Sequence, residues 1–412
     1  MKTLISNIKR LVNVREESKL LRGKELSVLP CIENAYMIIE KGLIADYGSM
    51  SNLEPQTSNL KETIDATGQF ILPCWCDSHT HLVFAASREE EFVDKLKGMS
   101  YGEIAAKGGG ILNSAKRLNE IDIDELYNLS LLRLQELIKS GTGAVEIKSG
   151  YGLTVEGELK MLRVIKRLTE AAPIPIRSTF LGAHTYPLEF KEDHKGYIDL
   201  IINEMLPVIA KEKLADYIDV FCEDGFFAPE ETETICKAGI SYGLKPKIHA
   251  NQLNLSGGVE TGVKLGAISV DHLETMNDKT IHVLANSNTI GTLLPTAAFF
   301  LRMPFQPARQ MIDAGCAIAI ASDYNPGSSP SGNMNLVAAM SCIGMRMLPE
   351  EAINAATING AFAMELQNEV GSLTVGKKAN LIFTKRIPSL AYLPYSFGSN
   401  LIDKVMINGE IV

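Results

Sequence analysis

The run Cys76-Asp77-Ser78-His79-Thr80-His81 sets two imidazoles two residues apart at the end of a short apolar segment. Side chains of an extended strand alternate faces, so His79 and His81 point the same way, about 7 Å apart. Two imidazoles on one face can converge on a single metal ion. Four further apolar runs end in residues of similar chemistry: Gly182-Ala183-His184, Lys247-Ile248-His249-Ala250, Val270-Asp271-His272-Leu273-Glu274 and Ala321-Ser322-Asp323-Tyr324-Asn325. Three imidazoles and a carboxylate, from His79, His81, His249 and Asp323, suit Zn²⁺, and also Fe²⁺ or Mn²⁺. An ion held this way with one open position lowers the pKa of bound water from about 16 to about 7, giving hydroxide at neutral pH. His272 and Asp323 can then move protons, Asp323 serving both as ligand and as proton acceptor. Gln252 cannot ionise, so its role is to orient a substrate. This pattern points to metal-dependent hydrolysis.

Other readings of the same residues are weaker. Cys74-x-Cys76 beside His79-x-His81 could make a structural zinc site. Strand parity opposes it, because residues 75, 77, 79 and 81 share one face and the two cysteines take the other. The cysteines read as small wall residues. His194, in Lys191-Glu192-Asp193-His194, and His282, inside a helical stretch, read as ordinary surface or core histidines. Gly371-Ser372-Leu373-Thr374-Val375-Gly376-Lys377-Lys378 approaches a phosphate-binding loop, but it lacks the final Ser/Thr and leads into a strand rather than a helix.

Eight apolar strand candidates position these residues: Phe70–Asp77, Gly143–Lys148, Ile176–Ala183, Tyr217–Cys222, Pro246–His249, Ala267–Val270, Thr289–Leu294 and Ala317–Ala321. Between them lie stretches such as Ile123–Lys139, Glu156–Glu170 and Pro229–Gly239, whose apolar residues recur at helical spacing. Strands alternating with helices imply parallel pairing, and eight of them close a (β/α)₈ TIM-type barrel. The reactive residues stand at the carboxyl ends of the strands, the face on which such barrels place their sites. A doubly wound open sheet is the alternative. The long interval from His81 to Gly143, with Arg88, Tyr101 and Gly108-Gly109-Gly110, reads as a covering loop. The ends differ in rhythm. Ala35–Ile39, Ala379–Thr384 and Lys404–Val412 alternate with turn signals at Lys41-Gly42, Asp46-Tyr47-Gly48 and Asn408-Gly409. The expectation is a small discontinuous β-sandwich domain from residues 1–69 and 366–412, around a barrel of residues 70–365.

A chain of 412 residues can bury a large core, and 46% hydrophobic with 22% charged residues is ordinary for a globular protein. A net charge of −9 with no basic stripe argues against nucleic acid. No run reaches the roughly 18 apolar residues needed to cross a bilayer. The opening Met1-Lys2-Thr3-Leu4-Ile5-Ser6-Asn7 lacks a secretory core, and seven scattered cysteines fit a reducing cytoplasm.

Taken in order, Asp77-x-His79-x-His81, His249, His272 and Asp323 resemble the amidohydrolase superfamily. Further stretches narrow the resemblance to the branch that opens the ring of 4-imidazolone-5-propanoate in histidine degradation. They are His79–Phe84, Arg88 with Glu91-Phe92, Gly108–Ile111, Lys148–Leu153, Thr179–His184 and Ser322–Ser328. The resemblance spans essentially the whole chain. It implies hydrolysis of the cyclic amide to N-formimidoyl-L-glutamate, with one Zn²⁺ or Fe ion per subunit on His79, His81, His249 and Asp323. It also implies substrate contacts from Arg88, Tyr151, His184, Gln252, Asn325, Gly327 and Ser328, and a homodimer. An Arg fork is the natural clamp for a propionate. The chain departs from the family pattern at Cys74, where a glycine is usual, and at Asn380, where an aspartate is common. Phe221-Cys222-Glu223-Asp224 offers no lysine at the fourth strand's end, which favours one metal over two. A nucleobase-type deaminase on the same scaffold is the alternative activity, and Gln252 opposes it, since such enzymes carry a proton-shuttling Glu there.

Overall fold

The structure is a computed structural model that describes residues 2–53, 60–99, 103 and 109–412. The amino-terminal segment forms β1 (Lys2–Val12), β2 (Cys31–Glu40), β3 (Leu43–Ser49), β4 (Leu60–Asp65) and β5 (Phe70–Pro73). Eight strands of the middle follow: β6 (Trp75–Thr80), β7 (Thr142–Lys148), β8 (Ile176–Ala183), β9 (Tyr217–Cys222), β10 (Lys245–Ala250), β11 (Ser269–His272), β12 (Ile290–Leu293) and β13 (Ile318–Ile320). The tail adds β14 (Leu381–Thr384), β15 (Ile402–Ile407) and β16 (Glu410–Ile411).

Strands β6 to β13 pair in chain order, all parallel, with helices between them. The barrel closes where the Asp323 N–H donates to the His79 carbonyl (3.0 Å) and the His81 N–H to the Tyr324 carbonyl (2.9 Å). Strands enclosed on both faces read as nearly unbroken apolar runs, and Val145, Ile147, Val220, Ile248 and Val270 are all fully buried. The helix Ile123–Lys139 starts at Asp122, whose carboxylate accepts from the N–H groups of Asp124 and Glu125. The helix Val155–Ala171 starts likewise at Thr154, and its buried face includes Leu162, Ile165 and Leu168.

The termini share one mixed sheet, ordered β16-β15-β14-β5-β1-β2-β3, with β4 also on β1. Its own core holds Ile5, Ile8, Leu11, Met37, Ile39, Leu381 and Phe383. The expected strand Phe70–Asp77 is in fact two. Pro73 has no N–H with which to continue a ladder, and the chain changes sheets there. The Cys74 N–H donates to Asn380 in the terminal sheet, and the Trp75 N–H donates to Gly141 in the barrel (both 2.9 Å). The turn expected at Asp46-Tyr47-Gly48 is instead the body of β3. Asn408-Gly409 turns as expected, both residues at positive φ. The interval before β7 contains helices Glu89–Leu96 and Ile111–Glu120, while Tyr101 and Gly108 lie outside the described residues. Among the described residues, no helix is long and apolar enough to cross a membrane.

Candidate active site

Five of the seven histidines meet at the carboxyl end of the barrel. His79 lies in β6 with His81 just past it, His184 just past β8, His249 in β10 and His272 at the end of β11, while Asp323 sits three residues past β13. His79, His81, His249, His272 and Asp323 are buried, and His184 is partly so. His249 Nε2 lies 3.4 Å from His81 Nε2, and Asp323 Oδ1 lies 3.5 and 3.6 Å from the Nε2 atoms of His79 and His81. Ligand bonds of about 2.0–2.1 Å in a tetrahedral site put the donors about 3.3–3.4 Å apart, so this spacing fits a small divalent cation. His79 Nε2 is buried and has no hydrogen-bond partner among the described residues, which a bound ion would relieve. Burial, reinforced by Lys148 for His79 and by His184 for His81, holds both imidazoles well below their ordinary pKa. They are therefore neutral, as ligands must be. Burial pushes the Asp323 carboxyl up to about 6, against the opposing pull of His272 and His249.

A layer of charge underlies the donors. His79 Nδ1 donates to Asp271 Oδ2 (2.7 Å), which fixes the tautomer and leaves Nε2 free. His249 Nδ1 lies 3.0 Å from Asp219 Oδ2, an ion-pair distance off the line of a straight hydrogen bond. Asp77 does not reach the donors. Its carboxylate accepts the Ser322 N–H (3.0 Å) and hydroxyl (2.6 Å), and so anchors the strand end that carries Asp323. His272 is oriented by Glu274 (3.4 Å). Burial opposes its imidazolium, but Glu274, Asp323 and Asp271 outweigh burial and raise its pKa above the ordinary value. The backbone is in the left-handed region at His272 (φ 88°), Leu273 (65°), Asn251 (53°) and Asp323 (51°). Such conformations cost energy in L residues and persist where surrounding contacts impose them.

A cavity opens on these groups, lined by His81, Tyr151, His184, Phe221, His249, Gln252, His272, Asp323, Asn325 and Ser328. His184 Nδ1 lies 3.0 Å from the Gly150 carbonyl, which accepts its proton, so Nε2 is left as an acceptor. Burial takes the His184 pKa down to about 3 and raises that of Tyr151, so at neutral pH the first is a neutral acceptor and the second a phenol donor. Arg88 and Gly327 stand beside this wall rather than in it. Glu91 Oε2 accepts from Arg88 Nε (2.9 Å) and Nη2 (2.7 Å), and Arg88 Nη1 turns toward Gly327. A methyl group on Gly327 would meet Nη1 at 2.4 Å, so glycine is what lets the guanidinium approach. The Asn325 amide is spent inside its own loop: it donates to the Asp323 carbonyl and the Ser328 hydroxyl and accepts from the N–H groups of Gly327 and Ser328. The Ser328 hydroxyl lies 3.3 Å from Asp323 Oδ2.

The residues singled out in the sequence therefore gather in one place. Cys74 and Cys76 take no part, and Cys76 packs against Ala144 and Ala361 on the outer side of the wall. Cys74 is matched by Gly143, where an added Cβ would lie 2.4 Å from the Cys74 Cβ. Asn380 hydrogen-bonds Gly143 and Asn408, doing without charge what a turn needs. His194 is an exposed partner of Glu231, and His282 lies within the helix Asp278–Ala285. Sequence reasoning gave Asp219, Asp271, Glu91 and Glu223 no role in the site. Glu223 accepts from the N–H groups of Leu253 and Asn254 and so sets the loop that carries Gln252. An acidic residue inside a strand that otherwise reads as apolar, as in Tyr217-Ile218-Asp219-Val220, is the signal that could have found two of them.

Comparisons with known proteins agree with this geometry. The model of the Amidohydrolase family matches residues 70–412. The imidazolonepropionase of Flavobacterium johnsoniae is 58% identical over 413 residues, covering 100% of both chains. In fold, the chain is similar to E. coli guanine deaminase (TM-score 0.75, 13% identity, 100% and 99% of the two chains). It is also similar to a zinc-bound adenosine deaminase from Xanthomonas campestris (TM-score 0.68, 15% identity, 99% and 92%).

Proposed function

The chain belongs to the amidohydrolase family, and from that premise we propose that it hydrolyses the cyclic amide of 4-imidazolone-5-propanoate to N-formimidoyl-L-glutamate. One observation carries the reading: likeness to an imidazolonepropionase extends over the whole chain at 58% identity. His79, His81 and His249 lie close enough to share one ion, as do His79, His272 and Asp323, and we assign one Zn²⁺ or Fe ion per subunit to His79, His81, His249 and Asp323. When bound, that ion supplies Lewis acidity and makes water acidic enough to ionise near neutral pH. The protein groups do the rest. Arg88, held along one edge by Glu91, would receive the propionate on its remaining N–H groups. Tyr151 would donate to the ring and His184 would accept from it, while Gln252 orients the ring without exchanging protons. Asp323 would take a proton from the attacking water and return it to the ring nitrogen as the carbon–nitrogen bond breaks. His272, with its raised pKa, would donate toward the oxygen that becomes negative during attack.

The test is loss of imidazolone absorbance with the purified protein, before and after chelation and metal return. Ring opening that needs the metal supports the proposal. Ammonia release from a guanine- or cytosine-like base, with no ring opening, contradicts it. The proposal extends to a cytoplasmic homodimer. Seven free thiols support the compartment, and the exposed apolar side chains of Phe92, Phe299 and Ile343 support association. Sedimentation equilibrium at working concentration tests the dimer, and a monomer at every concentration overturns it.

A further inference from the structure

Lys148 ends β7, is fully buried and has no place in the chemistry above. Its Nζ lies 2.7 Å from Glu146 Oε1, 2.8 Å from Asp219 Oδ2 and 3.5 Å from Asp271 Oδ2. An ammonium has three N–H donors, and here three carboxylates surround it. Two of those oxygens are the ones that face the metal-site histidines: Asp271 Oδ2 accepts from His79 Nδ1, and Asp219 Oδ2 lies 3.0 Å from His249 Nδ1. Asp219 also accepts the His249 backbone N–H through Oδ1 (3.1 Å). Each aspartate is thus shared between a single ammonium and one imidazole.

An ordinary buried ion pair would explain the contact between Lys148 and Glu146, but Glu146 already has its own cation in Lys247, which touches its other oxygen. Lys148 is therefore the positive charge left to serve Asp219 and Asp271. That ammonium fixes where both carboxylates sit, and so where the two imidazoles they face are held.

We propose that Lys148 is a positioning residue of the metal centre, one ammonium that holds two aspartates and through them sets the rings of His79 and His249 with Nε2 toward the ion. The proposal rests on the metal-centre reading given above. It puts the organising charge on the second strand of the barrel, a strand that contributes no ligand.

Zn²⁺ affinity, measured against a chromophoric chelator on metal-stripped protein, tests it in wild type, Lys148→Gln, Asp271→Asn and the double variant. Lys148→Gln should bind about 10- to 100-fold more weakly, the usual loss when a group behind a metal ligand is removed. The double variant, with charge rebalanced and the Asn carbonyl still able to accept from His79, should bind more tightly than Lys148→Gln. Equal affinity of Lys148→Gln and wild type overturns the proposal, as does a double variant showing only the sum of the two single losses. If Lys148→Gln does not fold, the rebalanced double variant must fold and bind Zn²⁺, and its failure also overturns the proposal. Failure of the metal reading itself looks different: wild-type protein would then take no Zn²⁺ from the chelator.

Discussion

Arg88 is a cation beside the cavity, and half of its fork is already committed. Glu91 takes Nε and Nη2 through one oxygen and the Gly110 N–H through the other, so the guanidinium is fixed before any substrate arrives. Arg88→Ala should lower kcat/KM for the propionate substrate by about one to two decades, since a charge-assisted hydrogen bond contributes about 1.5–3 kcal/mol. An unchanged kcat/KM removes Arg88 from the site. Asp323 gives a pH prediction. Its pKa of about 6 in the metal-free protein means that protons compete with the metal below that pH, while burial holds His79 and His81 well below the ordinary imidazole value. Metal affinity should be nearly flat above pH 6 and fall as pH drops through it. Calorimetric titrations at stepped pH check this, and an affinity undiminished at pH 5 contradicts it. At this scale the proposed ligands were legible because strand parity and strand ends announce them. Asp271 and Lys148 were not, because their partners belong to other strands and only barrel closure brings them together.

The elements bring these residues together through strand ends and the loops that follow. Turning at once into left-handed backbone at His272 and Asp323 re-aims each side chain across the barrel mouth. The loop after β13 is braced by the Asn325 amide, which places Gly327 against Arg88. Gly327→Ala leaves the backbone at ease, because φ there is not positive, but forces the guanidinium to move. KM should rise several-fold or more with the melting temperature little changed, and an unaltered KM would show that Arg88 can shift freely. Helices such as Ile123–Lys139 were legible from a capping Asp and helical periodicity. The split between β5 and β6 was not, because an apolar run through Pro73 carries no mark of the sheet to which each half belongs.

In the whole molecule, the terminal sheet and the barrel meet at the residues that lead into the site. Cys74 bonds to the one and Trp75 to the other, only a few residues before His79. The proposed ligands come from the ends of β6 and β10 and the loop after β13, so an ion held by them would join parts of the chain up to 244 residues apart, from His79 to Asp323. Such an ion would bind the folded chain far better than the unfolded one. An ion present at 100 times its dissociation constant should add about 2.7 kcal/mol to stability. Scanning calorimetry should therefore show a higher melting temperature for metal-loaded than for stripped protein, and equal temperatures would mean that no such site forms. The eightfold alternation made the barrel legible, and turn signals at both ends marked the composite sheet. The order in which the terminal strands pair was not legible, since β1 changes partner from β4 to β5 along its length. The most direct test of the centre is anomalous diffraction at metal absorption edges, on crystals of protein purified without added metal. One peak within about 2.0–2.2 Å of His79, His81, His249 and Asp323 is the result expected. A peak elsewhere, or none in crystals of active enzyme, would contradict the account.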